Sequence, residues 1–181
     1  MTVRSRPNPS TRVYLEVGRK RAFACALDWP GWCRSGKDEE QALAALAASA
    51  PRYAAVAAAA GVRFPKNAAQ RFDVVERLPG SATTDFGAPD KVARGDSDPL
   101  TKRDTSRLAR LVAAAWTILD RTAAGAPAAL RKGPRGGGRD RDAVVEHVVS
   151  AEASYARKLG IRLRVPKPGD ETALRELRNA I

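Results

Sequence analysis

The sequence predicts an α+β protein, with a small antiparallel sheet under a helix followed by a helical part, and three observations carry that expectation. Residues 12–27 alternate apolar and polar with period two around a glycine break, a Trp29-Pro30-Gly31 corner leads into a helix-start signal at Asp38, and beyond residue 104 the apolar spacing is helical.

The chain opens with Met1 to Thr11, which holds two prolines and two arginines and reads as a mobile leader. Arg12–Val17 and Arg21–Leu27 read as strands joined at Gly18-Arg19-Lys20, the glycine being placed for a positive φ. Val13, Leu15 and Val17 share one face of the first strand and Phe23, Cys25 and Leu27 one face of the second, so one covered face is expected, with Cys25 in the core. Pro30 fixes one backbone angle and Gly31 permits the other sign, which makes a tight corner before a short extended piece.

Asp38 is placed to accept from the first helical amides and Gln41 to reach back, while Ala42, Leu43, Leu46, Ala47 and Ala50 supply a stripe to cover the hairpin. Pro51 should end this helix near Ala50 and begin a second, closed by Gly61. Phe72 to Leu78 reads as another strand, with Pro79-Gly80 as its exit. Residues 81–103 have no steady period and read as a linker, which divides the chain into a leader at 1–11, an α+β domain at 12–80 and a helical domain at 104–181. In that last part Leu108, Leu111, Val112, Ala115 and Leu119 form one stripe, Val144, Val148, Ala151, Tyr155 and Leu159 a second, and Glu171 to Ile181 a third helix.

Thirty-two basic against 20 acidic side chains leave a net charge of +12. The excess is spread, +6 on residues 1–95 and +6 on residues 96–181, which separates it from a localised nucleic-acid footprint. Two cysteines, Cys25 and Cys33, lack the spacing of a metal finger and are too few for a disulfide framework, so reduced thiols in a cytoplasm are expected. No apolar core follows the leader arginines as in a signal peptide, and Pro51 and Arg52 interrupt the alanine-rich run 42–60, so no membrane span is expected.

Trp29-Pro30-Gly31-Trp32-Cys33, Gly36 and Asp38-Glu39-Glu40-Gln41-Ala42-Leu43 together resemble the HicB-like antitoxin domain, over about residues 13–78 with the motif in 13–47. That resemblance implies a small sheet and helix similar to part of ribonuclease H, and the role of an antitoxin-like regulator that binds a toxin or RNA. Ala115-Trp116 and Leu119-Asp120 on one helix, a Gly-Pro-rich basic loop, and Val145-Glu146-His147-Val148-Val149-Ser150-Ala151-Glu152 on the next resemble a DinB-like four-helix bundle, here partial, over about residues 104–181. This second resemblance implies a metal- or thiol-dependent transferase or isomerase in which His147 matches one ligand of a divalent metal such as zinc or nickel.

His147 is the single histidine of the chain, and Glu152 falls about 140° from it around a helix, so the metal site is incomplete as read. It reads either as a hydrogen-bonded structural residue or as a ligand position. The loop bearing Arg131, Lys132, Arg135, Arg139 and Arg141 is either a solvated connection or an anion or nucleic-acid site; it lacks the Gly-Lys-Ser/Thr ending of a phosphate loop. Trp29, Trp32 and Tyr53 either seal a small core or form a surface aromatic platform. With no convergent set of acids, bases and ligands, the expected function is a non-catalytic binding or interaction protein, with a protein partner or a second copy covering the open helical seam. The transferase and the antitoxin-like regulator are the alternatives.

Overall fold

The computed structural model describes residues 10–133 and 137–181. Three strands, β1 (Thr11–Val17), β2 (Ala22–Ala26) and β3 (Cys33–Gly36), precede α1 (Glu39–Ala48) and α2 (Ala50–Ala59); β4 (Phe72–Pro79), α3 (Ala82–Phe86) and a 3-10 turn at Arg94–Ser97 follow. Three longer helices complete it: α4 (Lys102–Gly125), α5 (Arg141–Lys158) and α6 (Glu171–Ala180). The fold is α+β.

The sheet order is β3-β2-β1-β4, and the sheet is mixed rather than antiparallel throughout. β1–β2 and β2–β3 are antiparallel, but β4 runs parallel to β1. A parallel neighbour requires a crossover, and the α1–α2 pair supplies it by carrying the chain back across one face of the sheet. Val13, Leu15, Ala22, Ala24 and Ala26 meet Ala42, Leu46 and Ala50 on that face. Gly36 lies so close under α1 that a Cβ there would collide with the backbone of Gln41 and Ala42.

The helix start is as the spacing predicts. Asp38 accepts from the Gln41 amide at 2.8 Å, and the Gln41 side chain donates back to its other oxygen at 2.9 Å. Gly18 does not take a positive φ. Its reason is close approach: a Cβ on Gly80 would lie 2.7 Å from the Gly18 nitrogen, and one on Gly18 would strike Asp85.

The second sheet face is covered too, which corrects the expectation of one covered face. Cys25 pairs with Tyr14 and Phe23 with Glu16, so Phe23 and Cys25 are buried on the side away from α1. Residues 81–103, expected to be a linker, lie in the same unit as the sheet and reach its second face. Glu16, fully buried, accepts from the Thr84 hydroxyl and from the backbone amides of Asp90 (2.9 Å) and Lys91 (2.8 Å), and Glu76 accepts from the Arg94 amide at 2.9 Å.

The chain divides into two units, Met1–Trp116 and Thr117–Ile181, with the division inside α4. In the first, Leu111 and Ala114 of α4 pack with Ala57 of α2 and with Ala60, which caps it, so part of the predicted α4 stripe is covered by the α+β unit. In the second, Ala153 and Ala156 of α5 pack with Leu177 of α6. The buried line of α5 is therefore Val149, Ala153 and Ala156 rather than the line through Tyr155 and Leu159, both of which are exposed. Small alanines permit the close helix contact and leave the bulkier side chains outside. Arg178 joins this unit's helices, donating to Asp120 at 2.7 and 3.3 Å and to Glu152 at 3.5 Å. No single helix among the described residues is long and apolar enough to cross a membrane.

Candidate functional site

The corner after β2 turns at Gly31, whose φ of 87° is the left-handed conformation that glycine accepts. It sets Trp29 and Trp32 among Tyr53, Phe64 and Phe72. Ring centroids lie 4.8 Å apart for Trp29–Phe64, 5.2 Å for Trp32–Phe64, 5.5 Å for Tyr53–Phe64 and 5.9 Å for Trp32–Tyr53. Aromatic pairs of this kind, edge-on for Trp29–Phe64 and Trp32–Phe64 and stacked for Trp32–Tyr53, each add about 0.5–1.5 kcal/mol beyond the area they bury.

Of the three aromatics read as a surface platform, Trp32 is only 1% exposed and belongs to the core. Its Nε1 donates to the Leu46 carbonyl and to Ser49 Oγ, both at 3.0 Å, which satisfies the one polar atom it buries. Tyr53 is half-buried and its hydroxyl donates to the Pro30 carbonyl at 3.0 Å. Burial pushes its pKa up to about 12, with the charge of Arg107 pulling the other way. Trp29 is half-buried beneath Arg107, whose guanidinium carbon lies 5.2 Å from the ring centre while Nη1 donates to the Asp28 carbonyl at 3.0 Å.

Beside this cluster runs an open groove of about 590 Å³. Its walls come from the corner (Pro30, Gly31, Trp32, Arg34), from α2 (Arg52, Tyr53, Val56) and from α4 (Leu108, Leu111, Val112, Ala115, Trp116). Val112 is 41% exposed there, and Arg52 is exposed. Among these walls stand two guanidiniums and one neutral phenol, with no carboxylate, imidazole or thiol. Such a surface is equipped to hold an apolar side chain beside a negative charge, and it offers no general base or nucleophile.

The structure does not bring the other predicted residues to this groove. Lys132 pairs with Asp140 at 2.6 Å and holds that carboxyl below the usual range; Arg141 donates to Asp142 at 2.7 Å and to the Ala126 carbonyl at 3.0 Å. Arg131 and Arg139 are exposed, and Arg135 lies outside the described residues. Two of the loop's cations thus already face carboxylates.

His147 is exposed on α5, outside the walls of a second, smaller cavity of about 330 Å³ that Asp142, Glu146, Asp170 and Glu171 help to line. No group of three or more His, Cys, Asp or Glu among the described residues is placed to hold a metal ion. The residues around His147 therefore do not fit the divalent metal that the DinB-like resemblance implies.

Arg34, Arg52, Arg107 and the α4 residues of the groove were not read as site residues from the sequence. The α4 stripe itself was visible at 108, 111, 112 and 115. What hid the site was its assignment to a different domain, when its first half covers α2. No family model, curated protein or solved structure matches the chain.

Proposed function

We propose that this chain is a non-catalytic interaction protein whose first unit receives a segment of a partner protein, an apolar anchor flanked by carboxylates. The observation that carries this reading is the open apolar groove with Arg34 and Arg52 among its walls and no acid–base group beside them. Charge favours an acidic partner: residues 1–95 alone carry a net +6. The HicB-like reading of the first unit belongs to the same proposal, supported by the corner at Gly31 and the capped start of α1. An antitoxin-like regulator is then one case of it, with a toxin as the partner.

RNA in the partner's place would draw on the 131–141 loop, where Lys132 and Arg141 already hold carboxylates. The DinB-like reading rests on the helix order of α4, α5 and α6, and its transferase function lacks a ligand set among the described residues. A cytoplasmic location accompanies the proposal, supported by a cysteine count too small for a disulfide framework.

All three tryptophans, Trp29, Trp32 and Trp116, lie in or beside the groove, so intrinsic emission reports on it. Titration with a leucine-centred peptide flanked by glutamates is expected to shift that emission saturably, more weakly at high salt. The same peptide flanked by lysines should leave it unchanged. Equal responses to both peptides, or none to either, would remove the proposal.

A further inference from the structure

Cys25 of β2 and Cys33 of β3 face each other across the sheet, on the side turned away from α1. Their sulfurs are 2.8 Å apart, and both thiols are free. The backbone explains the approach. The Ala26 amide donates to the Trp32 carbonyl at 3.0 Å, while the Cys33 amide turns away from β2 to the Gly31 carbonyl at 3.1 Å, so the Cys25–Cys33 pair occupies a non-hydrogen-bonded position. Antiparallel pairs of that kind bring Cα atoms to about 4.5 Å and their side chains closest. That separation lies within the range of about 4.4–6.8 Å that a disulfide spans.

Access is asymmetric. Cys25 is 6% exposed, while Cys33 is partly exposed on the edge strand of the sheet, so a small reagent meets Cys33 first. The two sulfurs share one hydrogen bond, in which either thiol can be the donor. The sulfurs are thus already in contact, with Cys33 placed to meet the reagent and Cys25 placed to resolve a mixed disulfide on Cys33.

We propose that Cys25 and Cys33 are a cross-strand dithiol that closes reversibly to a disulfide by exchange with a low-molecular-weight disulfide of the glutathione class. In the first step the Cys33 sulfur bonds to one sulfur of the small disulfide, whose S–S bond breaks; the other half leaves as a thiol carrying the Cys33 proton. The Cys25 sulfur then attacks the Cys33 sulfur and expels the second half, which takes the Cys25 proton. Two cysteine thiols are oxidised, one small disulfide is reduced to two thiols, and atoms and electrons balance. Closure ties edge strand β3 covalently to β2, and the residues flanking Cys33, Trp32 and Arg34, are walls of the groove.

The test uses the full chain, reduced, desalted and incubated folded with oxidised glutathione before free thiols are blocked by alkylation. The mass should fall by two hydrogens, with no alkyl group added. Cleavage before Asp28 puts the two cysteines on separate fragments, which should stay joined until a reductant is added. Cys25→Ser should stop at a glutathione adduct on Cys33, and Cys33→Ser should leave the buried Cys25 unmodified. Two alkylated thiols in the folded native chain, a lasting glutathione adduct on Cys33, a cross-link between two chains, or closure only in denaturant would each overturn the proposal.

Discussion

Asp38 uses both carboxylate oxygens on one residue, accepting from the Gln41 backbone amide and from the Gln41 side chain, and so marks where the chain stops being strand and becomes helix. Asp38→Ala removes both bonds and should cost about 1 kcal/mol, read as a lower urea midpoint with an unchanged slope. An unchanged midpoint would place the helix start elsewhere. Tyr53 supplies a second test at this scale. Its pKa is raised from near 10 to about 12, so the neutral phenol is favoured in the folded chain. The stability it contributes is fully present below about pH 10 and is lost as pH rises through about 12. Tyr53→Phe should therefore lose less stability than the native chain between those limits, and should lack one late phenolate transition in an absorbance titration.

Elements whose signals are local were legible in the sequence, and those that depend on distant partners were not. The Pro30-Gly31 corner, the Asp38 cap and the Pro51 break each act within a few residues, and each lies where the spacing places it. The covering of the second sheet face rests on Glu16 and on amides at Asp90 and Lys91, more than seventy positions away, in a stretch whose polar composition resembles a linker. The buried face of α5 differs from the one its apolar spacing predicts because alanines fill its contact with α6 while Tyr155 and Leu159 stand outside.

Both long-range devices can be checked. Glu16→Gln keeps the shape but sets an amide N–H against backbone N–H donors, and should cost about 1.5–3 kcal/mol. Amide exchange should quicken at residues 81–97. If exchange there is unaltered, the carboxylate is not what holds that segment to the sheet. Arg178→Ala leaves Asp120 and the largely buried Glu152 without their shared guanidinium. The second unit should melt earlier while the β1–β4 amides keep their protection.

At the scale of the whole molecule, two aromatics on the corner and one on α2 are visible in the sequence as a platform, yet the groove they adjoin needs a wall from α4, whose helical spacing points to a separate domain. That wall borders the groove with apolar surface, because Leu111 and Ala114 pack inward while Val112 remains exposed in the same groove as Arg52. Placing a carboxylate at either exposed position should weaken binding without unfolding. Arg52→Glu sets like charge against the acidic flanks, and Val112→Glu places a carboxylate where the apolar anchor would lie.

The groove's role is tested most directly by mapping amide chemical-shift changes over the full isotopically labelled chain as the glutamate-flanked, leucine-centred peptide is added. Changes should gather at Pro30–Arg34, at Arg52–Val56 and along Leu108–Trp116, be lost in Val112→Glu, and be absent from 131–141 and from α6. Changes confined to the basic loop, or none at the groove under saturating peptide, would contradict the account.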